Sequence, residues 1–346
     1  MPFRSDDHAP TSIYVPADPL ARFTEIHAAL DVERKWLGDK VPLRLAAVCL
    51  ITTPGEPALL ASATRRRDAD LRSGLGWLSN VTGAVRMLIA AQMVKHGDDP
   101  VTFIDEVERV RALMRAAKVR RDAVYETLAV LVLRRVLGPQ QRIEAAHIDR
   151  FHAIYEAMKR HHWFLTGPED YPACAMLLAR DEDPETIGDG TNAIYKALHD
   201  RADMSRGDAL QTAANVLYLA GVEPTVIADR FAQMTNGFRD GGARIGQAQY
   251  DELAILCFLA WPVERVIETV LGFRTQLLET QKWIGKDSAL NLAASLAFIR
   301  IAGQDSALGP LADAKLLLDM QAIVAARQAA ATATATATAT STSTST

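Results

Sequence analysis

Five prolines that recur at nearly regular intervals constrain the fold of this chain more than any other feature. Each follows an apolar segment, as in "NVLYLAGVEP", and precedes an amphipathic stretch, as in "TVIADRFAQM". They are Pro100, Pro139, Pro184, Pro224 and Pro262, spaced 39, 45, 40 and 38 residues apart. Because proline is tolerated only in the first turn of a helix, each of them ends one helix and opens the next.

This spacing predicts an all-α fold built from paired helices. One helical hairpin cannot bury its apolar face alone, so neighbouring hairpins are expected to stack on one another. A period near ~40 residues is typical of HEAT or armadillo repeats and predicts a solenoid-like array of about five or six hairpins. A compact multi-helix bundle is the alternative, since the repeats share little residue identity.

In a stacked array, each helix that follows a proline lies beside its counterpart in the next repeat. We therefore expect these helices to form one inner layer, with their outward polar residues on a continuous face. The helices begin near Val101, Ile143, Glu185, Thr225 and Val263, and the polar residues include Arg109, His152, Lys196, Arg230 and Glu264.

Composition divides the chain into four parts. Residues 1–17 are polar and proline-rich and are predicted to be disordered, residues 18–80 form an N-terminal helical region, and residues 81–327 contain the hairpin repeats. The alternating Ala, Thr and Ser of residues 328–346 supply no large side chain to bury, which predicts a disordered tail.

Charge and cysteine usage limit the functional class. The net charge of −4 argues against nucleic acid as a partner, although residues 65–135 carry 14 Lys and Arg against 9 Asp and Glu. That region is a solvated helix surface or a patch that receives an acidic partner. Cys49, Cys174 and Cys257 lie in apolar runs without metal-ligand spacing, which indicates buried, reduced thiols. No apolar run is long enough to span a bilayer, and a cytoplasmic location is expected by elimination.

One helical segment, "HIDRFHAIYEAMKRHH", carries the only candidate chemistry. Its spacing places three polar residues on one helix face, namely Asp149, His152 and Glu156. His and carboxylate side chains at this spacing can bind a metal ion or form an acid–base pair. An ordinary solvated polar face is the simpler interpretation. The acidic runs "HGDDP" and "ARDEDPE" sit at the predicted turns and are interpreted as helix caps rather than magnesium ligands. No catalytic residue, cofactor or cofactor-binding residue is predicted.

The stretch "FLTGPEDYPACAMLLA" is interpreted as the start of a helix, with Asp170 as its N-cap. Together with "NAIYKAL" and "DALQTAANVLYLAG", it resembles an uncharacterised bacterial family, domain of unknown function number four thousand and three. The resemblance covers about residues 20 to 325. It implies a helical cytoplasmic protein without an established activity and transfers no site residue.

These observations favour a non-enzymatic module that binds or scaffolds another protein, because no catalytic constellation accompanies the repeat period. The alternative is a helical enzyme or sensor that binds a small molecule or metal in a pocket between helices. The oligomeric state is not predicted by the sequence.

Overall fold

The computed structural model describes residues 14–32, 41–74, 81, 83–138, 141–281 and 284–304. Within these ranges the fold is all-helical, as predicted. The first and last parts of the predicted division, including nearly all of residues 1–17 and the tail 328–346, lie outside the described residues, and the domain boundaries stay predictions.

Fourteen helices occur in the described ranges, joined in two places by short 3-10 turns. The helices are α1 Pro19–Asp31, α2 Val41–Leu50, α3 Pro57–Gly74, α4 Gly83–His96, α5 Pro100–Ala116, α6 Ala123–Leu137, α7 Ala145–His161, α8 Tyr171–Leu177, α9 Pro184–Ala202, α10 Asp208–Tyr218, α11 Pro224–Asp240, α12 Tyr250–Leu256, α13 Val263–Thr280 and α14 Lys286–Gln304. The 3-10 turns are Pro168–Asp170 and Gln247–Gln249.

The helices sort into two sets by burial. The odd-numbered helices, which include those after the periodic prolines, are amphipathic and bury one stripe, as α13 does with Val266, Val270 and Phe273. The even-numbered helices are buried on nearly all sides, and every residue of α8 is buried. The apolar helices therefore form the inner layer, and the prediction that the helices after the prolines are inner is wrong. We call the even-numbered helices inner and the odd-numbered helices outer.

Neighbouring helices of the same set pack against one another in chain order. Among the outer helices, α7 packs on α9 and α9 on α11; among the inner helices, α2 packs on α4 and α10 on α12. The last described helix, α14, packs on α13 and also contacts α1 and α2. The two ends of the described array are therefore in contact.

Arginines on five of the outer helices hydrogen-bond to the connection that leaves the neighbouring inner helix. Arg230 on α11 donates from Nε to the carbonyl of Cys257 (3.1 Å) and from Nη2 to that of Trp261 (2.8 Å). The same arrangement recurs from Arg22 to Thr53, from Arg67 to Asp98, from Arg109 to Ile143, and from Arg150 to Arg180 and Glu182. Each guanidinium satisfies carbonyls of the connection that follows an inner helix. Arg109 and Arg230 therefore do not belong to the outward polar face that the sequence predicts.

Candidate interaction site

The predicted metal candidates all lie on α7, and their contacts are those of a polar helix face. His152 Nε2 lies 3.6 Å from Glu156 Oε1, and Lys159 Nζ lies 3.7 Å from the same oxygen. Asp149 is exposed. Across the described ranges, no three His, Cys, Asp or Glu side chains group closely enough to hold a metal ion. The metal site therefore stays a hypothesis supported by sequence spacing alone.

The acidic runs at the turns contain helix N-caps, as the sequence predicts. A carboxylate oxygen of Asp99 accepts from the backbone N of Thr102 (2.8 Å), and one of Asp183 accepts from that of Thr186 (3.0 Å). Hydrogen bonds from these threonines lower the pKa of both carboxyl groups. The carboxylate oxygens of Asp99 and Asp183 therefore cap the N-termini of α5 and α9.

The three cysteines are free and buried. Desolvation raises the pKa of Cys49 to about 11 and that of Cys257 to about 12, and it raises the pKa of Cys174 well above its usual value. Because the thiolate is the nucleophile, these thiols are poorly suited to nucleophilic chemistry at neutral pH.

Asp170 has a structural contact that differs from the predicted one. Its side chain makes no cap hydrogen bond to α8 and instead accepts from the backbone N of Gly167 (3.1 Å) and from Gln211 Nε2 (3.4 Å). Gln249 closes an equivalent turn in a later hairpin, accepting from Gly246 N at 3.0 Å. In both cases a buried tyrosine begins the next helix. The motif is therefore a repeated turn, and its acidic residue holds that turn closed.

We expect Asp170→Ala to lower the free energy of unfolding by about 2 kcal/mol, because it leaves the buried amide of Gly167 without its acceptor. Asp170→Asn retains an acceptor oxygen and should recover most of this loss. Chemical denaturation of both variants measures the difference. Equal losses for Ala and Asn would show that the negative charge, rather than the turn hydrogen bond, is what the fold requires.

Two adjacent aromatic side chains protrude from the connection between α7 and α8. Trp163 is 72% exposed and Phe164 is 69% exposed. Their rings form an edge-to-face pair with centroids 5.3 Å apart and an interplanar angle of 89°. Isolated exposed apolar residues are common, whereas two large aromatic residues in contact on one turn form an exposed apolar patch.

The backbone that carries this pair is fixed on both sides. Leu165 N and Thr166 N donate to the carbonyl of His162 at 3.0 and 2.9 Å. Gln211 Nε2 donates to Thr166 Oγ1 at 3.0 Å, and the His162 ring lies 4.4 Å from that of Tyr195. Burial lowers the pKa of His162, with smaller contributions from the neighbouring His161 and Lys196. The aromatic pair is therefore presented on a turn anchored to α9 and α10.

Four of the connections that lead from an outer helix to an inner helix, from α5 to α12, are joined into one surface, which we call the loop face. Its described parts are residues 117–122, 162–170, 203–207 and 241–249. Tyr171 Oη donates to the carbonyl of Arg120 (2.7 Å), and Ser205 N donates to Tyr250 Oη (3.1 Å). With the bond between Gln211 and Thr166, these contacts link each connection to the next.

The loop face is rich in exposed cations. Its exposed charged residues are the cations Lys118, Arg120, Arg121, Arg206 and Arg244 and the carboxylate Asp203. Asp122 is half-buried and caps α6 by accepting from the backbone N of Val124 and of Tyr125. The face therefore combines an aromatic anchor with positive charge on the neighbouring connections.

Sequence reasoning missed both the anchor and the surface around it. Trp163 and Phe164 follow the last polar turn of α7 and do not continue the apolar stripe of that helix. Two large aromatic residues outside any apolar stripe are the sequence signal that could have identified the pair as exposed. The cations lie more than 30 residues from the anchor in most cases, so only the folded chain brings them together.

The geometry defines a class of all-α proteins in which apolar inner helices pair with amphipathic outer helices. Residues 65–329 match the family described as "Protein of unknown function (DUF4003)", and the chain belongs to this family. The resemblance read from the sequence is thereby confirmed. The chain is similar to "Uncharacterized protein YeaA" of Bacillus subtilis (strain 168), with 26% identity over 275 residues that cover 75% of this chain and 77% of that protein. No solved structure matches the chain.

Within the described ranges, no helix combines the length and the apolar character needed to cross a membrane.

Proposed function

We propose that this chain is a non-enzymatic protein-interaction module that docks an acidic protein surface on the loop face. The exposed aromatic pair, Trp163 with Phe164, is the observation that carries the proposal. Aromatic residues and arginine dominate the binding energy of protein interfaces, and both are present here. Cations on the neighbouring connections favour a partner of negative charge and increase its rate of association.

The fixed geometry of the turn supports this role. Hydrogen bonds to His162 and Thr166 order the backbone before any partner arrives. A partner that covers the pair therefore removes apolar surface from water without the cost of ordering a mobile loop. The three free thiols agree with a cytoplasmic location, which we keep as part of the proposal.

Replacing both aromatic residues should weaken binding while leaving the fold intact. We expect Trp163→Ala combined with Phe164→Ala to weaken partner capture at least tenfold, on the order of 1.4 kcal/mol or more, since a truncated anchor typically costs that much. The measurement is crosslinking in the native cell followed by recovery of the tagged chain. Tyr14→Ala is the matched control, because Tyr14 is an exposed aromatic residue outside the loop face. Undiminished capture by the double variant would remove the loop face as the docking site.

The contact of α14 with α1 and α2 favours a closed arrangement over an open array. We propose that the outer helices close around the inner ones. Small-angle scattering should then give a radius of gyration near ~20 Å, the usual value for a globule of this chain length. A clearly larger value with an extended distance distribution would support an open solenoid instead.

A closed arrangement also keeps the ligand-binding alternative under consideration. Gln211 Oε1 and Asn215 Nδ2 are buried one turn apart on α10, with no hydrogen-bond partner among the described residues. Unpaired buried polar atoms are uncommon and point to a bound water or small polar ligand. Native mass spectrometry of the purified chain tests this alternative. The same experiment tests the metal hypothesis, for which a bound metal ion would have to disappear in His152→Ala.

A further inference from the structure

The exposed apolar side chains of this chain collect at two ends of the helices. Trp163 and Phe164 lie on the loop face, Val32 follows the last turn of α1, and Tyr14 precedes α1, while four others among the described residues lie at the N-terminal ends of outer helices. These are Leu59 in α3, Val101 in α5, Val226 in α11 and Val222 in the turn before α11. Each of the three helical residues belongs to the first turn of its helix. We call the surface made by the connections from inner to outer helices, with these first turns, the acidic face.

Charge on the acidic face is opposite to that on the loop face. The described parts of its connections carry the exposed carboxylates Glu56, Asp99, Glu144, Asp181, Asp183 and Glu223 and one exposed cation, Arg142. Asp98 is buried and paired with Arg134 and Arg135. The hydrogen bonds that lower the pKa of Asp99 and Asp183 favour the charged forms of these two carboxyl groups.

We propose that the acidic face of one copy of this chain docks on the loop face of a second copy, giving head-to-tail self-association. The inference rests on the proposed docking role of the loop face and names its partner. Each face supplies what the other lacks, because one presents an aromatic anchor among cations and the other presents aliphatic side chains among carboxylates. Docking of a loop face on another loop face would instead bring like charges together.

Such contact is heterologous, since two different surfaces meet, and it leaves one free face of each kind at the ends of the assembly. The average mass should therefore rise steadily with concentration rather than stop at a dimer. Salt should weaken the assembly, because exposed charges more than about 8 Å apart are largely screened at physiological ionic strength.

Sedimentation velocity of the full chain at low ionic strength tests the proposal. We expect the weight-average mass to exceed twice the monomer mass of 37.7 kDa at high concentration and to return toward the monomer as salt is added. Trp163→Ala with Phe164→Ala should remain monomeric under both conditions. A wild-type chain that stays monomeric in low salt, or that stops at a salt-independent dimer, would overturn the proposal.

A charge exchange between the faces makes the test specific. One variant carries Arg120→Glu with Arg121→Glu on the loop face, and the other carries Asp181→Lys with Glu223→Lys on the acidic face. All four side chains are exposed. Each variant alone loses nearly all the net exposed charge of one of its two faces and should be monomeric, whereas an equimolar mixture contains one unchanged loop face and one unchanged acidic face and should associate again. Restored association also shows that both variants are folded, and a mixture that stays monomeric contradicts the assigned faces.

Two other outcomes separate this inference from the proposed function. If the wild type is monomeric but Trp163 and Phe164 are needed to capture a different acidic protein, the inference fails while the docking function holds. If the monomer instead binds phosphatidylserine vesicles through the aromatic pair, a lipid surface is the occupant and both proposals fail.

Discussion

Arg230→Ala is expected to lower the free energy of unfolding by about 3 kcal/mol, the largest loss among the single substitutions considered. The guanidinium donates to three carbonyls, those of Cys257, Leu259 and Trp261, where the chain leaves α12. Removing it leaves these partly buried acceptors unpaired, and each lost charged hydrogen bond contributes about 1 kcal/mol or more. Chemical denaturation monitored by circular dichroism measures the loss.

Two matched variants show whether the loss comes from the bridge to α12. Arg230→Lys keeps the charge but lacks the planar fork, so it should recover only part of the stability. Arg201→Ala removes an arginine from the preceding outer helix, where it forms an exposed ion pair with Asp229, and should stay close to the wild type. If Arg230→Ala were as mild as Arg201→Ala, the carbonyls after α12 would not depend on this arginine.

Gly188→Ala is expected to destabilise the fold by about 2 kcal/mol, although alanine is the better helix former. A Cβ at position 188 on α9 would lie 2.9 Å from the carbonyl carbon of Ala157 on α7. The obstacle is backbone, so the two outer helices must move apart, and overpacking of this kind typically costs about 1–3 kcal/mol. Thermal or chemical unfolding measures the change.

Gly272→Ala is the control for that substitution. Gly272 lies within α13, and a Cβ there meets nothing within 4 Å. The same change should therefore stabilise the chain by up to about 1 kcal/mol through helix propensity alone. Opposite signs for the two variants would establish the close approach of α7 and α9, whereas stabilisation by both would contradict it.

Local signals determined the helical content of this protein. Proline, a capping side chain and an apolar stripe act within about four residues of each other, so the sequence contains all that is needed to place them. The starts of α5 at Pro100 and α9 at Pro184 follow from this, as do the caps at Asp99 and Asp183. The resemblance to the family likewise followed from three short stretches of sequence, and the match over residues 65–329 confirms it.

Partners distant in the chain were decided only by the tertiary structure. Arg230 reads from the sequence as an outward polar residue, yet its carbonyl partners lie 27 to 31 residues later. Asp170 is predicted from the sequence to cap the helix that follows it. In the structure it instead accepts hydrogen bonds from the backbone N of Gly167 and from Gln211 on α10. In each case the side chain could form hydrogen bonds with several partners, and the packing of the neighbouring hairpin determines which of them it forms.

The candidate site divides in the same way. The sequence by itself determined that residues 65–135 carry an excess of basic residues, one interpretation of which is a patch that receives an acidic partner. The tertiary structure decided that the connections of the loop face share one surface, through the contacts of Tyr171 with Arg120 and of Ser205 with Tyr250. It also decided that α14 meets α1 and α2, because these helices are far apart in the chain and local patterns act only over a few residues.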